Sequence, residues 1–131
     1  VQTGYSNYTP NLANYKKLLS FDEMNYYAKN ASVIITHGGP ASIFLAYSHN
    51  KVPIVVPRQK KFEEHIDDHQ LVFAKRLAKD NKIKLVEDIS ELNSLLKEET
   101  VNKSKFEKII NLNECTFASR FEKEIKSLVK L

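Results

Sequence analysis

The chain has 131 residues, 42% of them hydrophobic and 27% charged, which suits a single folded domain and excludes the low-hydrophobicity composition of disordered chains. Its 20 Lys and Arg against 16 Asp and Glu leave a net charge of +4, dispersed along the sequence with no aromatic-basic motif of the kind that reads nucleic acid. Cys115 is the only cysteine, which excludes an internal disulfide and a cysteine-pair metal site and predicts a reducing, cytoplasmic setting; no apolar run approaches the ~18–20 residues of a spanning helix.

Taken in chain order, Val1-Gln2-Thr3-Gly4 reads as the tail of a strand entering a turn, and predicts that further chain precedes Val1. A polar loop rich in Asn and Tyr follows to Asn14, and residues 15–19 predict a short strand. Ser20 with Glu23 three positions later has capping-box spacing and predicts a helix over about 21–29. Ser32-Val33-Ile34-Ile35-Thr36 is a β-branched run of the type found in buried parallel strands, and it hands over at His37-Gly38-Gly39-Pro40 to a helix predicted over about 41–49. Residues 52–57 predict the next buried strand, bounded by Pro53 and Pro57.

Leu71, Phe73, Ala74, Leu77 and Ala78 fall at helical spacing and predict a helix over about 66–79. A short strand is predicted over 83–86, and Asp88 or Ser90 is placed to cap a helix through Leu96. Apolar positions from Phe106 to Val129 predict terminal helices packed on the sheet. Strands alternating with helices predict an α/β domain with a mainly parallel sheet covered on both faces.

Two segments carry chemistry. In Thr36-His37-Gly38-Gly39-Pro40-Ala41-Ser42, between a strand and a helix start, paired glycines permit close approach of a ligand, and the N–H groups and dipole of the helix N-terminus attract phosphate oxygens. Ser42 and the His37 imidazole can donate to the same charge, so a diphosphate is the natural guest; a tight turn that merely needs glycine is the competing reading. The spacing is not that of a phosphate loop ending in Gly-Lys-Ser/Thr. The second segment, Glu63-Glu64-His65-Ile66-Asp67-Asp68-His69-Gln70, follows the 52–57 strand, and both segments are therefore expected at one crevice beyond the carboxyl ends of parallel strands. Carboxylates and the Gln70 amide there can grip sugar hydroxyls; acids that only complement a helix dipole are the alternative. His65 and His69, four apart, can share a helix face, but without a third ligand no metal site is expected. His49 reads as a surface residue near a helix end.

The ordered set Thr36-His37-Gly38-Gly39-Pro40-Ala41-Ser42-Ile43, Pro53-Ile54-Val55-Val56-Pro57-Arg58 and Glu64-His65-Ile66-Asp67-Asp68-His69-Gln70 closely resembles the family-28 glycosyltransferase C-terminal domain. Within that family it is similar to the short subunits of split glycosyltransferases of capsule and exopolysaccharide synthesis. The resemblance implies a Rossmann-like fold, the C-terminal half of a GT-B enzyme, whose first strand would precede Val1. It implies a UDP-sugar donor and no further cofactor, with His37, Gly38, Gly39 and Ser42 at the diphosphate and Glu64, His65, Asp68, His69 and Gln70 near the donor sugar or its neighbouring loop. It also implies a membrane-anchored acceptor-binding partner subunit, a lipid-linked glycan acceptor, inverting hexosyl transfer, and a location at the inner face of the membrane through that partner.

The catalytic base is expected in the partner half, with His37 and His65 the alternative contributors in this chain. One departure stands out: many relatives carry Glu on the helix after the Gly-Gly turn, where it binds ribose hydroxyls, and Leu45 occupies the matching position here. A non-catalytic partner subunit is therefore the first rival reading, and an epimerase or hydrolase of nucleotide sugars on the same fold is the second.

Overall fold

The structure is a computed structural model that describes residues 1–101, so the predicted terminal helices lie outside the described residues. The chain divides into two compact units, Val1–Ser32 and Val33–Leu131.

In the first unit, the segment predicted as a strand over 15–19 pairs with the opening residues through a single parallel bridge, Gln2 to Lys16. The Thr3 N–H donates to the Lys16 carbonyl and the Lys16 N–H to the Val1 carbonyl, at 3.0 and 2.9 Å. The Gly4 N–H adds a bond to the Lys17 carbonyl at 2.8 Å, and Gly4 then turns into the left-handed region at φ 60°, which starts the turn expected after Thr3. Helix α1 (Phe21–Asn30) begins with the capping box read from the sequence: Glu23 N–H donates to Ser20 Oγ, and Ser20 N–H donates to Glu23 Oε2 at 2.8 Å. Lys16 Nζ, 2.7 Å from the Glu23 carboxylate, and the Ser20 N–H hold its pKa down at about 2.

In the second unit, β1 (Ile35–Thr36), α2 (Pro40–Ser48), β2 (Ile54–Val55), α3 (His69–Lys79) and β3 (Lys84–Leu85) alternate as predicted. The three strands form a parallel sheet in the order β1-β2-β3, with Ile35 opposite Ile54 and Ile54 opposite Lys84. A 3-10 turn at Ile89–Glu91, where Asp88 accepts the Ser90 N–H, leads into α4 (Leu92–Val101). Neighbouring Ile54 and Val55 point to opposite faces and both are buried, so β2 is enclosed on both sides. Ile35 is 47% exposed: β1 sits at the edge of this sheet, so its apolar run is less buried than a central strand's.

Ile43 of α2 and Ala74 of α3 share one buried cluster with Val55 and Ile83, with Tyr47, Phe73 and Leu77 at its margin. Burying Ile43 and Val55 fully contributes about 1.5–3 kcal/mol each. The helices end alike. Asn50 and Asn81 adopt φ 55° and 54°; Asn50 N–H donates to the Tyr47 carbonyl and Lys51 N–H to the Ala46 carbonyl, while Asn81 and Lys82 do the same to Ala78 and Leu77. These paired bonds are Schellman caps with asparagine at the left-handed position, and each returns the chain to the next strand. No helix among the described residues is long and apolar enough to cross a membrane.

Candidate functional site

Because the strands run parallel, the segments that leave β1 and β2 emerge at the same edge of the sheet. The first is His37-Gly38-Gly39. Gly39 is the N-cap of α2 with no side-chain cap, and Pro40 follows in the first turn, where its missing N–H costs nothing. The Gly39 N–H donates to His37 Nδ1 at 2.9 Å. With Nδ1 accepting, the neutral ring carries its proton on Nε2, which lies 3.3 Å from Ser42 Oγ and donates to it. Burial lowers the pKa of His37 from its ordinary value, the charge of Arg58 lowers it further, and a hydrogen bond with the Gln70 amide works the other way. The imidazole is thus held neutral and ties the turn to the first turn of α2.

Neither glycine of this junction is needed for positive φ, which among the glycines only Gly4 adopts. Both are needed for space. A Cβ on Gly38 would stand 2.9 Å from Gln70 Cβ and 3.0 Å from the Gln70 carbonyl oxygen, and one on Gly39 would run into the His37 ring. The missing side chains make room for the two residues, His37 and Gln70, that border the turn.

The second segment differs from its expected form. The helix predicted from about 66 begins only at His69, with Asp68 as N-cap, and residues 60–62 form a 3-10 turn closed by Glu63 in the left-handed region at φ 58°. The reason is local: Asp67 Oδ1 accepts the His69 N–H at 3.0 Å, satisfying the first helical donor and fixing the start there. His65 therefore lies before the helix and does not share a helix face with His69. Both imidazoles turn instead to Asp67, His65 Nδ1 at 3.1 Å and His69 Nδ1 at 2.6 Å. The His69 main-chain and ring donors lower the pKa of Asp67. Among the described residues, no group of three or more His, Cys, Asp or Glu is arranged to hold a metal ion.

The remaining acceptors of this segment reach back to the loop that leaves β2. Arg58 N–H donates to Gln70 Oε1 at 3.1 Å, Gln59 N–H to Glu64 Oε2 at 3.1 Å, and Lys60 N–H to Asp68 Oδ1 at 2.9 Å. Gln59, 4% exposed, also donates from Nε2 to the Glu87 carbonyl beyond β3, so the loop is tied to the neighbouring strand end as well. The structure thus brings His37, Gly38, Gly39, Ser42 and Gln70 together, places Glu64 and Asp68 along the Arg58 loop, and gathers His65 and His69 around Asp67. Sequence reasoning placed Asp67 in this segment without a role of its own and passed over Gln59. Position just past the end of a parallel strand was the available signal for Gln59; nothing in the sequence marked Asp67 above its neighbours.

The family model described as glycosyltransferase family 28 C-terminal domain matches residues 1–128. The chain belongs to that family. No curated protein and no solved structure matches it. As a family-28 glycosyltransferase domain it is a transferase domain of the donor-binding kind, with the α/β, Rossmann-like fold that the parallel sheet displays.

Proposed function

We propose that this domain binds a UDP-sugar across the carboxyl ends of β1 and β2 and supplies the hexose for inverting transfer to a lipid-linked acceptor. The acceptor is held by a membrane-anchored second subunit, which brings this domain to the inner face of the membrane. The observation that supports the reading best is the β1–His37-Gly38-Gly39–α2 junction. Its helix N-terminus has no side-chain cap, and Ser42 Oγ, accepting from His37, is left with its own O–H to donate.

In the reaction so read, the diphosphate lies at the α2 N-terminus, where the Ala41 and Ser42 N–H groups and the Ser42 hydroxyl meet its oxygens. The acceptor oxygen forms a bond to the anomeric carbon as the bond from that carbon to the phosphate oxygen breaks. The acceptor proton passes to a base on the partner subunit, and UDP leaves with the electron pair. Fixed donors at the helix N-terminus stabilise the charge that grows on the diphosphate.

Leu45 favours a second reading, a subunit that keeps the fold without donor affinity. It lies one turn beyond Ser42 on α2, and a leucine cannot accept ribose hydroxyls. Calorimetric titration of UDP, UDP-glucose, UDP-galactose and UDP-GlcNAc separates the two. On the donor reading Gly39→Asp abolishes binding and Leu45→Glu tightens it by roughly 10- to 100-fold, the worth of a charge-assisted hydrogen bond. Absence of binding by every nucleotide, with the partner subunit present, leaves the non-catalytic reading.

A further inference from the structure

We infer that Glu64 and Asp68 are positioning residues, which hold the 58–60 loop by its main chain so that Arg58 faces the donor diphosphate, and are not ligands of the sugar. The inference rests on the donor reading above. Three consecutive N–H groups, those of Arg58, Gln59 and Lys60, each donate to a different side chain of the following segment, at 3.1, 3.1 and 2.9 Å. A run of three loop amides with no secondary-structure partner is ordinarily left to water; here Gln70, Glu64 and Asp68 supply the acceptors in turn.

The loop is fixed on its other side by Gln59, whose amide reaches the Glu87 carbonyl at 2.9 Å. Gln70 joins the loop to the glycine junction, since its Oε1 accepts from Arg58 N–H while its Cβ and carbonyl crowd Gly38. Arg58 is thus anchored by its own main chain to Gln70, which borders the turn at α2, and its charge is felt at His37. A guanidinium held there matches phosphate oxygens in geometry and charge. Glu64 Oε2 and Asp68 Oδ1 are occupied by main-chain donors, which leaves these carboxylates poorly disposed to grip a pair of sugar hydroxyls.

The test compares UDP with UDP-glucose by calorimetry on wild type, Glu64→Ala, Asp68→Ala, Glu64→Gln, Asp68→Asn, Arg58→Gln and the Arg58→Gln/Asp68→Ala pair, with hydrogen exchange at the Gln59 and Lys60 amides. The expected result is that each alanine variant weakens UDP and UDP-glucose by the same factor, about tenfold. The amides of Gln59 and Lys60 exchange faster in Glu64→Ala and Asp68→Ala respectively. Glu64→Gln and Asp68→Asn restore binding, because an amide oxygen accepts the same N–H. The double variant is no weaker than Arg58→Gln alone, the mark of residues acting through one group. Loss confined to UDP-glucose, or full additivity in the double variant, overturns the inference and leaves the donor site standing. Wild type that binds neither nucleotide overturns the donor reading, and this inference with it.

Discussion

Gly38 and Gln70 approach so closely that an added Cβ at position 38 would stand 2.9 Å from the Gln70 Cβ and 3.0 Å from its carbonyl oxygen. One of these obstacles is main chain, so no change of rotamer at Gln70 relieves it. Gly38→Ala must displace the first turn of α3, and with it the Gln70 bond to Arg58 N–H. The expected cost is about 1–3 kcal/mol, the usual range for overpacking, measured as a lower urea midpoint at unchanged slope. Gln70→Ala added to Gly38→Ala recovers none of it, because it keeps both the Cβ and the carbonyl. Full recovery in that double variant would show that the amide end of Gln70, not this approach, is what Gly38 accommodates.

Much of the architecture was legible because it rests on short-range patterns. Ser20 and Glu23 announced α1, the β-branched run before His37 announced β1, and the spacing of Phe73, Ala74 and Leu77 announced α3. The segment from 63 to 68 was not legible as it folds. Its charges suited a helix start, but whether Glu64 and Asp68 cap a helix or bind a loop is decided by donors at Gln59 and Lys60, which only the return of the chain brings near. Likewise the sequence marked Gly38 and Gly39 as sites of close approach without saying that Gln70 and the His37 ring occupy the space they leave. The short bridge at Lys16 fell below the predicted strand because tertiary pairing, not local propensity, sets strand length.

His37 gives the domain a pH dependence of defined sign. Its pKa in the folded chain is lowered from 6.5, chiefly by burial, so the unfolded chain takes up a proton more readily than the folded one. The stability it contributes is complete above about pH 6.5 and is lost as the pH falls below that value toward the folded pKa. Protonation also removes the Nδ1 acceptor from the Gly39 N–H, which opens the turn. Urea midpoints at pH 7.5 and 5.5 are expected to fall more in wild type than in His37→Gln, and the His37 ring resonance should titrate below that of a free imidazole. A ring that titrates at or above 6.5 would sink this account.

Glu63 carries strain that a single substitution should relieve. It holds φ 58° and ψ 21° to close the 3-10 turn at Lys60–Phe62, its N–H donating to the Lys60 carbonyl at 2.9 Å, and its side chain is exposed. A side chain in the left-handed region costs roughly 1–2 kcal/mol that glycine does not incur, while glycine gives back part of this through the greater freedom of the unfolded chain. Glu63→Gly is therefore expected to raise stability by about 0.5–1 kcal/mol, and Glu63→Ala, which keeps the Cβ, to change it by less than ~0.5 kcal/mol. Urea denaturation of the three proteins separates backbone from side chain: equal stability of the glycine and alanine variants would mean that the turn does not hold position 63 in this conformation. Since the turn lies between Lys60 and Glu64, both fixed by the contacts that order the Arg58 loop, Glu63→Gly should leave the amides of Gln59 and Lys60 as protected as in wild type.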